Sequence, residues 1–169
     1  MRVAVAQFAT SSNCQKNLTT CIRMINETAV CEPSLIILPE FCNTQAWYSD
    51  HNQAWSEALT INGDFLQQIA QQAKKHDCYI LINVSLRQDL KRDHKNGAVK
   101  SNISISSCVF SPLGELIQQT NKQIFTANEE VFFTATNKTY EPVTTSFGKL
   151  GILLGNDDVS FETSRALTL

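Results

Sequence analysis

The chain lacks most of the marks that announce a particular partner. Its 14 Lys and Arg residues against 16 Asp and Glu leave a net charge of −2, with no basic stripe. Phosphate binding through counterion release needs a Lys/Arg cluster, so nucleic acid is not an expected partner. The densest basic stretch, Lys91, Arg92, His94 and Lys95, is broken by Asp89 and Asp93 and reads as a solvated hairpin tip. The opening residues, MRVAVAQF, are too few and too mixed for a signal-peptide core or a membrane span. A cytoplasmic location without membrane contact is the expectation. None of the six cysteines (14, 21, 31, 42, 78 and 108) forms a Cys-x-x-Cys pair, and His51, His76 and His94 have no ligand-like spacing to them. No metal and no organic cofactor is expected, and without export the thiols should stay reduced. The Asn-x-Ser/Thr triplets at Asn17, Asn26, Asn83, Asn102 and Asn137 should then stay unmodified. Repeats, linkers and low-complexity tracts are absent too.

What remains is an ordinary globular composition, 43% apolar and 18% charged over 169 residues, enough for one domain with a real core. Arg2 to Phe8 reads as a strand. Asn13 caps a helix whose Leu18, Cys21, Ile22, Ile25 and Ala29 recur at three- and four-residue steps. Ser34 to Leu38 is apolar on both faces, as in the middle of a covered sheet. Strand, helix, strand in this order is the crossover unit of α/β architecture. A polar and aromatic loop from Cys42 to Trp55 follows, and Trp47, Tyr48 and Trp55 face either a pocket or another subunit. Gly63 and Asp64 open a second helix, with Leu66, Ile69, Ala70 and Ala73 inward and Lys74, Lys75 and His76 at its C-terminal end. Tyr79 to Leu86 is the next buried strand, and Asn96-Gly97 a tight turn. Ile103 and Ile105 then alternate with serines, and Ser111 to Gly114 turns the chain into Glu115 to Gln119. Val143 to Phe147 and Lys149 to Leu154 form a last strand pair.

Three segments carry chemistry. Leu-Pro-Glu-Phe, 38 to 41, puts Glu40 just past a buried strand, where open α/β sheets gather ligand groups; a turn acid facing solvent is the plainer reading. Lys122 precedes Glu129 and Glu130 by seven and eight residues; a lysine so flanked can stabilise a developing oxyanion, or simply lie on the surface. Finally GILLGNDDVSFETSRAL, 151 to 167, runs from an apolar stretch into an Asn-Asp-Asp turn and a helix. Hydrolases often present a nucleophile at such a break, and here position 155 is glycine.

Together, in this order, these segments resemble the nitrilase superfamily, the carbon–nitrogen hydrolases. Val3 to Phe8, Leu35 to Glu40, Tyr79 to Val84 and the spacing of Gly151, position 155, Asp157, Glu162 and Arg165 carry the likeness along the whole chain. The resemblance implies an α/β fold of the nitrilase-type α-β-β-α sandwich, and a Glu–Lys–Cys triad acting on small amides or nitriles. Glu40 falls on the general base and Lys122 on the oxyanion-stabilising lysine. Glu130 falls on the accessory acid, preferred because an aromatic follows at Phe133, with Glu129 as the alternative. Gly155 falls on the nucleophilic cysteine, and Asn156 on the backbone N–H that completes the oxyanion hole. Every step of the family's covalent route passes through sulfur, so a chain with Gly155 is expected to keep the site's shape and lose the reaction. Cys42, two residues after Glu40, is the nearest thiol in sequence and is not expected to substitute. Thr134-Ala-Thr-Asn137 stands where the family has a Gly-containing turn.

The family's domain also continues beyond the equivalent of Leu169, so residues 1–169 read as a partial domain that lacks its C-terminal part. A truncated gene product, a fragment, one piece of a split protein and a decayed copy are the alternatives. Uncovered strand faces would favour homo- or hetero-oligomers through sandwich pairing, including a non-catalytic subunit beside an active homologue.

Overall fold

A computed structural model describes residues 1–88, 102–135 and 140–168. Asn13 accepts a hydrogen bond from the Lys16 N–H and starts helix α1 (Cys14–Ala29), as its short polar side chain favours. The apolar steps place Leu18, Cys21 and Ile25 inward, all buried. Strand β1 (Val3–Val5) pairs in parallel with β2 (Leu35–Ile37), and β2 in parallel with β3 (Tyr79–Gln88). β3 then pairs antiparallel with β4 (Asn102–Phe110), and β4 with β5 (Leu116–Asn121). Among the described residues these five strands form one sheet in sequence order. The doubly apolar β2 lies inside it, as continuous burial requires. β1 is shorter than the run from Arg2 to Phe8 suggests.

Strand periodicity sorts side chains onto two faces. One face presents Ile36, Ile80, Ile82, Val84, Cys108 and Phe110 to α1 and to helix α3 (Asp64–His76), whose Phe65, Leu66, Ile69 and Ala73 are buried against them. The other face presents Leu35, Tyr79, Ile103, Ile105 and Val109 to a second core. That core includes Phe41, Tyr48, Phe133 and the hairpin of β6 (Val143–Thr145) and β7 (Gly148–Leu150). The layers are helix, sheet and a two-stranded start of a second sheet.

Two expectations need correction. The loop after Cys42 contains a helix, α2 (His51–Glu57), because Asp50 caps it through the Gln53 N–H and Ala54 is drawn into the second core. The last strand stops at Leu150; residues 151–154 run in irregular backbone, with Ile152 and Leu154 still buried. Burial without pairing looks like a strand in sequence. The Asn-Asp-Asp turn and the helix after it are found as expected, as a 3₁₀ turn (Gly155–Val159) leading to a short helix, α4 (Phe161–Ala166). The basic stretch around Arg92 and the Asn96-Gly97 turn lie outside the described residues, as does much of Thr134 to Asn137.

Gly114, in the turn before β5, has φ +77, and a Cβ there would stand 2.8 Å from the Ala70 carbonyl oxygen of α3. The sheet can approach α3 this closely only with glycine at the contact. Ile82 is fully buried between β3 and the helices. Ile82→Ala should therefore lower the unfolding free energy by about 2–5 kcal/mol, measured by urea denaturation.

Candidate active site

Glu40 is held by its neighbours rather than by its own strand. β2 ends when the Leu38 N–H donates to the Leu81 carbonyl, and Pro39 offers no donor to continue the ladder. Phe41 takes a left-handed conformation, φ +55, rare for a residue with a Cβ. Asn83 of β3 supports the turn twice: its side-chain oxygen accepts from the Phe41 N–H at 3.0 Å, and its carbonyl accepts from the Cys42 N–H at 2.8 Å. The Asn83 amide in turn donates to Ser107 Oγ of β4. The Glu40 carboxylate is thereby turned to the second-core face of the sheet, with 41% of its side chain exposed.

Lys122 follows β5 directly. Its N–H donates to the Ile105 carbonyl, which keeps it in register with β4. The partner Asn121 side chain accepts from Ser106 on the helical face, so alternation sends Lys122 to the other face. Its side chain is 3% exposed. A buried ammonium is costly unless paired, and two carboxylates meet it: Glu129 Oε1 at 2.7 Å and Glu40 Oε1 at 3.2 Å.

The second carboxylate paired with Lys122 is the point where the structure departs from the sequence reading. Glu129, not the preferred Glu130, reaches Lys122; Glu130 is exposed. The turn that fixes this choice is Thr126-Ala-Asn-Glu129. Glu129 Oε2 accepts from the Thr126 N–H at 2.7 Å and from its hydroxyl at 3.1 Å, and the Glu129 N–H returns to Thr126 Oγ1 at 3.4 Å. This reciprocal capping box is readable as Thr-x-x-Glu in the sequence and would have selected Glu129. The aromatic criterion pointed one residue too far, because Phe133 shares a side of the turn with Glu129 at a four-residue step.

Gly155 lies against the ion cluster. With φ +48 it starts the 3₁₀ turn, and a Cβ built on it would stand 2.7 Å from Lys122 Nζ, 3.1 Å from its Cε and 3.3 Å from Glu40 Oε1. The lysine head fills the space that any side chain at 155 would need. Asn156 is the second residue of the same turn. Asp157, fully buried, ties this turn to Lys122: its Oδ1 accepts from the Gln123 and Ile124 N–H groups at 3.0 and 2.8 Å. Burial and the Asp157 carboxylate together push the Tyr140 phenol above its ordinary value.

Cys42 belongs elsewhere. It is fully buried in the helical-side core, and its Sγ donates to the Pro39 carbonyl at 3.0 Å. Burial, then the adjacent Cys21 thiol, push its pKa well above the ordinary thiol value, so it stays protonated. Burial also pushes Cys108 up to about 12. Among the described residues, no group of three or more His, Cys, Asp or Glu could hold a metal ion.

The cluster presents one ammonium flanked by two carboxylates, of which Glu40 is the partly open one. Burial alone would push Lys122 down, but the Glu129 hydrogen bond and the Glu40 charge outweigh it and its pKa stands above 10.5. For Glu129, burial pushes upward and is overcome by the Lys122 and Thr126 hydrogen bonds, leaving it below 4.5. A lowered carboxyl adds stability that is full above its unfolded value and is lost as pH falls through its folded one. The raised lysine adds stability below its unfolded value, lost as pH rises through the folded one. Glu129→Gln should lower stability at neutral pH by about 1–3 kcal/mol and flatten the fall below pH 4.5, measured by denaturation across pH. Gly155→Ala should cost about 1–3 kcal/mol in the same assay, from the left-handed backbone and the collision with Lys122.

Comparison with known proteins bears on the family and the fold. The carbon–nitrogen hydrolase family pattern matches residues 2–169. The probable hydrolase nit2 of Schizosaccharomyces pombe is 30% identical over 123 residues, covering 70% of this chain and 40% of that protein. The Caenorhabditis elegans NitFhit protein superposes with a TM-score of 0.77 at 19% identity, over 96% of this chain and 39% of that one. A carbon–nitrogen hydrolase from Helicobacter pylori G27 gives 0.76 at 20% identity, over 99% and 55%. The NitN amidase from Neterenkonia sp. AN1 gives 0.73 at 16%, over 99% and 62%. The chain thus spans less than two thirds of the length of each of these relatives, and among the described residues no helix is long and apolar enough to cross a membrane. With its family pattern matched from end to end and its sheet superposing on solved family structures, this chain belongs to the carbon–nitrogen hydrolase family.

Proposed function

We propose that this site recognises small non-peptide amides or nitriles but does not cleave them by thiol chemistry, because Gly155 stands at the family's nucleophile position. In the active form of such a site a carboxylate takes the thiol proton, and the thiolate attacks the amide or nitrile carbon. With an amide, an ammonium and a backbone N–H hold the oxyanion while the carboxylic acid returns its proton to the leaving amine. A nitrile first gives a thioimidate, which must add water before ammonia leaves. Water then cleaves the thioester. Glu40, Lys122 and the Asn156 N–H would supply the base and the oxyanion donors here. Glu129 would keep Lys122 charged and oriented.

One observation carries this reading. A side chain at 155 would have to begin 2.7 Å from the Lys122 ammonium and 3.3 Å from Glu40 Oε1, so ammonium, carboxylate and the position for sulfur converge, and residue 155 itself contributes no side chain there. A second reading, a non-catalytic subunit that pairs with an active homologue, draws support from exposed apolar side chains. Val5 on the edge strand is 70% exposed, and Val159 before α4 and Phe161 at its start are exposed as well. Retention of the chain on an immobilised, longer family member would favour that reading; a monomer indifferent to such a partner would remove it.

The decisive assay is ammonia release from a panel of amides and nitriles by the unmodified chain, Gly155→Cys and Glu40→Gln. Release by the unmodified chain should stay at background. Turnover abolished by Glu40→Gln would contradict the loss of activity, and turnover that survives Glu40→Gln would contradict the site itself.

A further inference from the structure

β1 forms an outer edge of the five-stranded sheet, and among the described residues β2 is its one strand partner. Parallel pairing turns the backbone groups of alternate residues to opposite sides of a strand. The Ala6 N–H donates to the Ile37 carbonyl and the Leu35 N–H to the Arg2 carbonyl, so the even-numbered residues face β2. The N–H and C=O groups of Val3 and Val5 therefore point away from the sheet. Their side chains share the face of Leu35, the register partner of Val3, and are 42% and 70% exposed. Proteins usually blunt such an edge with lysine, proline or a bulge. Here Arg2 to Ala6 carries one charge, and the Arg2 guanidinium donates to the Cys31 carbonyl.

β1 is its own complement. Val3-Ala4-Val5 reads the same in both directions. In a second copy lying antiparallel, with Ala4 opposite Ala4, Val3 of each copy stands opposite Val5 of the other. Each of these pairs exchanges two backbone hydrogen bonds and the Ala4 pair between them makes none, as the antiparallel pattern requires. Directly opposed residues share a face, so four valines meet on one side of the seam. Shifted by one residue, Val3 would oppose a residue whose groups already serve β2. Shifted by two, Val3 would oppose Gln7 or Val5 would oppose Met1, and the valines would part. In the centred register Arg2 opposes Ala6, so no charge faces a like charge, and a net charge of −2 adds little repulsion.

We infer that this edge binds a second copy of the chain, joining two five-stranded sheets across a two-fold axis at Ala4. The seam uses no residue of the ion cluster and holds whether or not that cluster recognises amides. Two three-residue strands bury far less than the roughly 800 Å² per partner of a stable dimer, so the pair is reversible, with a dissociation constant on the order of 0.1 mM.

The test is sedimentation equilibrium of the full chain from about 10 µM to about 1 mM, beside disulfide trapping with oxidised glutathione. Trapping uses a Cys31→Ser background, because Cys31 is exposed. The chain should pass from monomer to dimer across that range. Val5→Lys, at an exposed position, should weaken pairing about tenfold or more. Ala4→Cys should form a covalent dimer with itself, because opposed α-carbons of a non-hydrogen-bonded pair lie about 4.5 Å apart. Val3→Cys and Val5→Cys should cross-link to each other when mixed, and far more slowly alone. Should Val5→Lys fail to fold by circular dichroism, the Ala4→Cys trap decides. A chain that stays monomeric throughout would overturn the inference. A dimer that survives Val5→Lys and yields none of these cross-links would mean pairing through another face, and would overturn it too. Loss of the Ala4→Cys cross-link on adding a longer family member would assign the edge to that protein and remove the second copy as its occupant.

Discussion

A lysine ammonium buried at the end of a strand is the constraint that orders this half of the molecule. The Lys122 N–H holds the residue in register with β4 and its side chain is buried there, so compensation has to be brought to it. Glu129 comes from the turn that follows, Glu40 from a loop 82 residues earlier in the chain. A charge so placed is tolerable only when both partners are fixed. Each one is: Glu129 by the capping box at Thr126, Glu40 by the turn that Asn83 clamps from the neighbouring strand. Gly155 closes the arrangement by contributing nothing, since the ammonium occupies the volume of a side chain there.

The rest of the fold is arranged so that these loops converge. Parallel pairing of β1, β2 and β3 needs crossover helices, and α1 and α3 supply them on one face, burying a largely apolar interface. The opposite face is then left for loops and the short β6–β7 hairpin. Polar groups buried there act as clamps on backbone. Asn43 holds Ser85 and the end of α2, and Asp157 holds the two residues after Lys122. Each satisfies donors that no strand or helix would pair.

Much of this was legible in the sequence, for identifiable reasons. Periodicity exposed α1 and α3 because their stripes are clean, and it exposed β2 because its residues are apolar on both faces. Glu40 and Gly155 could be singled out because each sits at a break between an apolar run and polar residues, and Lys122 because two glutamates follow it at seven and eight residues. Sequence reading lost its grip where burial comes without regular pairing. Ile152 and Leu154 look like strand residues and are buried in irregular backbone. The helix after Asp50 was hidden in an aromatic and polar stretch with no stripe to reveal it. The choice between Glu129 and Glu130 turned on a local hydrogen-bond pattern, Thr-x-x-Glu, which outranks the position of a neighbouring aromatic. The roles of Asn83 and Asp157 had no signature at all, since a buried amide or carboxylate clamping backbone looks the same in sequence as a surface one.

The most direct measurement of the central claim is a double-mutant cycle between Gly155→Ala and Lys122→Ala, read by equilibrium denaturation at neutral pH. The backbone strain of alanine at 155 is common to both arms and cancels, which leaves the contact between the added methyl and the lysine head. The account predicts a coupling of about 1 kcal/mol or more, with Gly155→Ala markedly less damaging once the lysine is shortened. Additive effects within about 0.3 kcal/mol would mean that Lys122 does not fill the space beside Gly155, and would contradict it.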